Sequence, residues 1–184
     1  MKRLVILPDE NLEAVAAGLQ LRLASIVREI SAENLPDLID PVSAEILAAV
    51  GKPLQVAPML WACSGSHYSL VWMPDSPQEL VLRATADLQD GLVAMVFKSE
   101  RSAFAREPDL NVDRWTNLSR LKSQSLEAMA GVPVRLAGRV VGVLTLSGSS
   151  VDEGQVGPLS LAAEVFAKLT EARMLRECIG LENR

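Results

Sequence analysis

The sequence predicts an α+β domain built on a single antiparallel sheet. Apolar residues near both ends recur at helical spacing over long stretches, whereas the middle of the chain breaks into short apolar runs divided by turn residues. The clearest pair of runs, 132–136 and 140–146, flanks Ala137-Gly138-Arg139, so the chain folds back antiparallel on itself there. A mixed order of helices and hairpin-linked strands is the pattern of an α+β layer fold.

In the first helix, Leu12, Ala16, Leu19, Leu23, Ile26 and Ile30 alternate in steps of four and three, the spacing of a coiled-coil seam. Val15 and Val27 widen that stripe, Glu13, Gln20, Arg22, Arg28 and Glu29 form a solvated face, and Asp9 behind Pro8 is placed to cap the start. Breakers around Pro36 and Pro41 divide it from a short helix over 43–50, which Gly51-Lys52-Pro53 stops. The apolar run 54–63 is expected to be helical, closing at Ser64-Gly65-Ser66. Strands follow at 68–72 and 79–83 across a proline-containing turn. Asp90-Gly91 then opens a helix over 92–97, a short strand is expected at 102–105, and a helix at 113–121. Gly142 inside the second strand of the last hairpin marks close approach by a neighbour. The final helix begins near Gly157-Pro158 and runs to about Cys178, with Leu159, Ala162, Val165, Phe166, Leu169 and Ala172 on one face.

The 184 residues suit one domain with a real core, and 49% hydrophobic with 22% charged residues is an ordinary globular balance. A net charge of −5 without a Lys/Arg run gives no footprint for nucleic acid. No apolar run reaches the roughly twenty residues of a membrane span, and Pro8-Asp9-Glu10 cuts short a stretch that begins like a signal peptide. A cytoplasmic protein without a membrane partner is expected. Two cysteines, Cys63 and Cys178, and one histidine, His67, support neither a disulfide framework nor a metal centre.

At 79–84, Glu-Leu-Val-Leu-Arg-Ala is followed by Asp90-Gly91-Leu92-Val93. Residues 125–134 form a Ser-rich approach to an "x-Pro-hydrophobic" strand, and 138–146 end a hairpin in "GVLxL". In that order and spacing, residues 40 to 177 resemble a GAF domain, the small-molecule sensing module of signalling proteins. The resemblance implies a six-stranded antiparallel sheet with terminal helices packed on one face and a ligand pocket on the other. It divides the chain into an N-terminal amphipathic helical segment (1–40), the GAF domain (41–177) and a C-terminal tail or linker (178–184). Bilin and cyclic nucleotide are not supported, because residues 116–123 hold no cysteine and the Asn-Lys-Phe-Asp-Glu signature is not recognisable. The clustered cysteines of methionine sulfoxide reductases of this fold are missing as well, so no enzyme activity is expected.

Ser123 and Ser125 fall where the resemblance places pocket-lining hydroxyls, and they lack a neighbouring base that would make them nucleophiles. Trp72, Met95, Phe97, Phe104 and Trp115 either line an apolar pocket or fill core. A ligand is expected between the sheet and residues 90–121, touching Trp72, Met95, Phe97, Trp115, Ser123 and Ser125. Asp90 reads as a helix cap, His67 as a hydrogen-bonded or exposed turn residue, and both cysteines as inert thiols. The stripe through Leu12, Leu19, Leu23, Ile26 and Ile30, with Phe166 and Leu169, exceeds what one sheet face buries, so a homodimer through these helices is expected. The functional expectation is a small-ligand sensory or regulatory module signalling through its terminal helices. Its alternative is a ligand-free dimerisation scaffold whose pocket is filled by its own side chains.

Overall fold

The computed structural model describes residues 9–51, 58–74, 85–86, 88, 91–106 and 128–179, with the side chains of the first helix described from residue 13. The elements run α1 (Asp9–Arg28), α2 (Pro41–Gly51), β1 (Pro58–Cys63), β2 (Tyr68–Trp72), β3 (Thr85–Ala86), α3 (Leu92–Ser99), β4 (Ala103–Arg106), β5 (Ala128–Leu136), β6 (Arg139–Gly148) and α4 (Val156–Cys178). The six strands form one sheet in the order β3-β2-β1-β6-β5-β4, antiparallel at every pairing. The α+β expectation, including the sixth strand, holds.

β6 lies between β1 and β5 with every residue after Arg139 buried, because both faces of the sheet are covered. One face packs on α1, α2 and α4 through Leu60, Leu144 and Leu146 against Leu23, Val27, Leu47 and Phe166. The other packs on α3 through Met59, Trp61, Leu70, Met129 and Val143 against Leu92 and Val96. Strand β1 enters both cores by alternation, Met59 and Trp61 to one side, Leu60 and Ala62 to the other.

β1 corrects the helix expected over 54–63; residues 52–57 lie outside the described part. A strand buried on both faces shows an unbroken apolar run with no period of two, which cannot be told from a buried helix. The strand expected at 79–83 and the helix at 113–121 also lie outside it, as does the side chain of Asp9. The helix α3 takes Gly91, at φ +91°, as its N-cap without a side-chain capping bond; Asp90 lies outside the described residues.

Two bulges reset the faces. Between β1 and β2 the register passes from Leu60↔Trp72 to Trp61↔Leu70, leaving Val71 as the extra residue. Between β5 and β6 it passes from Val134↔Gly142 to Arg135↔Val140, leaving Val141 extra. A Cβ on Gly142 would stand 2.6 Å from the Trp61 carbonyl oxygen, so the approach of β1 to β6 requires glycine at that point. The turn between β5 and β6 has two central residues, Ala137 at φ +46° and Gly138 at φ +78°, the signs of a type I′ hairpin. β4 pairs with β5 only from Ala128 to Gly131, so among the described residues β5 has no paired outer strand from Val132 onward.

Leu23 (7% exposed) and Phe166 (0%), placed by the sequence in a seam between two copies, are buried in the chain's own core. α1 is long enough to pass over α4, so half of its apolar stripe is satisfied internally. Ile30 packs on the same core, Leu19 and Leu169 are half-buried, Ile26 is more exposed, and the side chain of Leu12 is outside the described set. Val15 and Leu21 are the most exposed large apolar residues described in α1, at 60% and 74%.

Replacing Gly142 by Ala should force β1 and β6 apart and lower unfolding stability by about 1–3 kcal/mol. Ala137→Gly should raise it by roughly 1 kcal/mol, since an L-side chain is strained at positive φ. Urea unfolding of the two variants measures both changes, and a loss at Ala137→Gly would contradict the turn geometry.

Candidate functional site

On the sheet face beneath α3, β6 carries two buried hydroxyl residues, Thr145 and Ser147. Trp61 Nε1 donates to Thr145 Oγ1 at 2.9 Å, and that hydroxyl donates to the Met59 carbonyl at 3.3 Å. Two residues along β6 on the same face stands Ser147, fully buried, whose Oγ has no hydrogen-bond partner among the described residues. Met59 faces Thr145 across β1, and Met129 faces Ser147 across β5. A buried hydroxyl without a partner loses its hydration without replacement, at a cost of about 1–3 kcal/mol. Thr145 and Ser147 therefore set one satisfied and one unsatisfied hydroxyl some 7 Å apart on an otherwise apolar floor.

Tyr68 and Phe97 close the far side of this face, with ring centroids 5.2 Å apart and planes inclined by 47°. Tyr68 is paired across the β1–β2 turn with Cys63. Burial raises the Tyr68 phenol above its ordinary value, and the neighbouring Cys63 thiol raises it further. His67, in the turn between them, is half-exposed with Nδ1 3.0 Å from Ser66 Oγ.

The structure separates the residues expected to touch a ligand. Phe97 is on the α3 face and half-buried, while Met95 points outward from α3 at 47% exposure. Trp72 lies on the opposite, terminal-helix side. Strict alternation from Tyr68 and Leu70 would keep Trp72 on the α3 face; the bulge at Val71 turns it over. There it borders a cleft of about 270 Å³ with Pro36, Ile39, Pro41 and Ala44. Trp115, Ser123 and Ser125 lie outside the described residues. Thr145 and Ser147 were missed by sequence reasoning, although two hydroxyl residues two positions apart in a run as apolar as 140–147 are the signal that points to them.

A larger cleft, about 410 Å³, runs between α4 and the free edge of β5, floored by Val132, Ala163 and Ala167. Among the described residues no three of His, Cys, Asp and Glu come together as a metal site, and no helix is long and apolar enough to cross a membrane. Cys63 packs beside the α3-side core, whereas Cys178 ends α4 with its carbonyl held by Arg22 Nη1 at 3.0 Å.

A six-stranded antiparallel sheet with terminal helices on one face and a shorter helix on the other defines a GAF-like fold. The chain is similar to the GAF domain of an Acinetobacter phosphoenolpyruvate-protein phosphotransferase, with TM-score 0.54 and 17% identity, over 90% of this chain and 95% of that one. It is similar to the GAF-B domain of DevS from Mycobacterium smegmatis, with TM-score 0.56 and 14% identity, over 76% of this chain and 99% of that one. It is also similar to the free methionine-R-sulfoxide reductase from Neisseria meningitidis, solved with its substrate, with TM-score 0.54 and 15% identity, over 94% and 97% of the two chains. No family model and no curated protein matches the chain. At these identities the likeness is one of fold, and the fold serves regulatory domains and an enzyme alike.

The chain has one tyrosine, so ultraviolet absorbance of the phenolate reports Tyr68 alone. Its titration midpoint should lie above about 10 in the folded protein. Because the folded-state value is raised, the associated stability is fully present below about pH 10, the unfolded midpoint, and is lost as pH climbs through the folded one. Tyr68→Phe should flatten the alkaline decline in melting temperature, and an unchanged slope would refute this assignment.

Proposed function

We propose that the chain is a cytoplasmic, non-enzymatic sensory or regulatory module that holds a small ligand on the sheet face beneath α3. The unpartnered, fully buried Ser147 hydroxyl carries this reading. With Met59 and Met129 beside the two hydroxyls, the ligand is mainly apolar and offers one hydrogen-bonding group to Ser147. The reductase likeness supports no activity here, since the two cysteines stand at the end of β1 and the end of α4 rather than in a cluster.

Ser147→Ala separates the ligand reading from the scaffold alternative. Without ligand, the variant should be as stable as wild type or more so, because it removes an unsatisfied buried group. Native mass spectrometry of the purified chain should detect a bound small molecule in wild type, and its affinity should fall about tenfold in Ser147→Ala, the loss of one hydrogen bond. A chain that is always free of small molecules, with a more stable Ser147→Ala, leaves the dimerisation scaffold.

In the same proposal two copies associate through the terminal-helix layer. Val15, Leu21 and Ile26 of α1, Val42 of α2 and Leu161 of α4 are exposed there, while among the described residues Met95 is the exposed large apolar residue on the α3 side of the sheet. Val15→Arg puts a cation on that surface without disturbing the chain's own core. Light scattering should read dimer for wild type and a shift of at least about tenfold toward monomer for the variant. A monomeric wild type at high micromolar concentration would remove the dimer.

A further inference from the structure

The tip of the β5–β6 hairpin is bonded to three helices that lie on different sides of the sheet. On the α3 side, Arg135 holds the residue that ends α3: its Nη1 donates to Glu100 Oε2 at 2.6 Å and its Nη2 to the Glu100 carbonyl at 2.6 Å. Glu100 sits there in a left-handed conformation, φ +56°. At the turn itself, the N–H of Ala137 donates to Glu171 Oε1 of α4 at 2.8 Å. The other oxygen of that carboxylate takes Lys168 Nζ at 3.2 Å. One turn residue further, Arg139 Nη1 donates to the carbonyl of Arg28, the last residue of α1, at 2.9 Å. Glu100 and Ala137, the two non-glycine residues at positive φ among the described residues, are thus pinned by side chains from distant elements, as strained positions must be if they are to persist.

α1 is the helix this tip is best placed to govern. Of its described side chains only Leu23 and Val27 are buried, and residues 13–18 are all exposed. Among the described residues its long-range hydrogen bonds are two from arginines to helix-terminal carbonyls, that of Arg139 to Arg28 and that of Arg22 to Cys178. These bonds satisfy carbonyls that have no partner inside their own helices. An element with so little burial opens and closes at low free energy, so the modest energy of exposed ionic contacts suffices to move its equilibrium.

We propose that the hairpin tip couples α3 to the docking of α1: the Arg135–Glu100 clamp sets the seat of the tip, and the tip, through Arg139, sets how much of the time α1 is docked. Its meaning as regulation rests on the sensory reading above, in which α3 covers the ligand face. The mechanical link itself exists without any ligand and is tested without one. The two-state element is α1, docked or released; the contacts that bias it lie at both ends of one short turn.

Hydrogen exchange of the full unliganded chain, followed by mass spectrometry, tests the link in Arg139→Ala, Arg135→Ala, the double variant and Arg135→Lys, with β6 amides as the internal gauge of global opening. Arg139→Ala should speed exchange over residues 22–28 about fivefold. Arg135→Ala, which among the described residues removes only bonds to Glu100, should speed the same residues about twofold while β6 keeps its wild-type rate. The double variant should be no faster there than Arg139→Ala alone, since both act through one tip. Arg135→Lys, which keeps the charge but loses the two-pronged geometry, should behave as Arg135→Ala. If Arg135→Ala speeds exchange only near Glu100, or if β6 accelerates as much as α1, the coupling is absent. Arg139→Ala without effect on residues 22–28 would overturn it equally. A failure to find any ligand leaves these outcomes untouched and bears on the sensory reading alone.

Discussion

The closeness of β1 to β6 at Gly142 is the constraint on which the rest of the domain depends. The Trp61 carbonyl occupies the space where any Cβ at position 142 would lie, so the two central strands meet at a distance only glycine permits. That contact lets the strands present Met59 and Trp61 to one core and Leu60 to the other. Two separate helical layers can then be held by a single sheet. Burial on both faces is what gives a chain of this size a sufficient core, because each central strand contributes apolar area twice.

The same constraint shapes the polar chemistry. With β6 wholly enclosed, any hydroxyl on it must find a partner inside the protein. Thr145 does so between the Trp61 indole and the Met59 carbonyl, and Ser147 does not. Ser43 of α2 is a second buried hydroxyl without a partner, but its N–H is already used in the helix cap by Asp40 and it faces no comparable floor. The difference between these two serines lies in location: one interrupts a helix start, the other a strand face shared with an indole and two methionines. Fold likeness to regulatory domains and to a reductase does not choose between their chemistries, and residues of this kind do.

The helices α1 and α4, each with one exposed side, were legible through their periodicity. The β5–β6 hairpin, although β6 is buried on both faces, was legible through its turn residues, and Gly142 was marked for close approach. β1 was not legible, since a doubly buried strand has lost the polar alternation that would identify it. The placement of Trp72 was hidden by a single extra residue, Val71, which leaves composition unchanged and reverses every later side chain in the strand. The seam expected to join two copies mixed residues of two kinds: Leu23 and Phe166 are buried in the chain's own core, whereas Val15 and Ile26 stand exposed. Spacing alone treats them alike, because a helix stripe records that apolar contact occurs and not whose surface supplies it. Of the candidate site, the aromatic positions were legible as types and not as a group, and the two hydroxyls that lie together were passed over because they sit in a strand read only for its apolar residues.

The outer edge of β5 past Gly131, left uncovered by the short β4, bears on how copies of this protein can meet. An open strand edge ordinarily invites another chain to add a strand, and repeated addition leads to aggregates. Here the exposed stretch contains Pro133, which has no N–H to give, and Arg135, whose guanidinium is already committed to Glu100 across the edge. The opposite border, among the described residues, is the two-residue β3. At both borders as described, a copy that adds a strand in the sheet's own plane therefore gains few backbone hydrogen bonds.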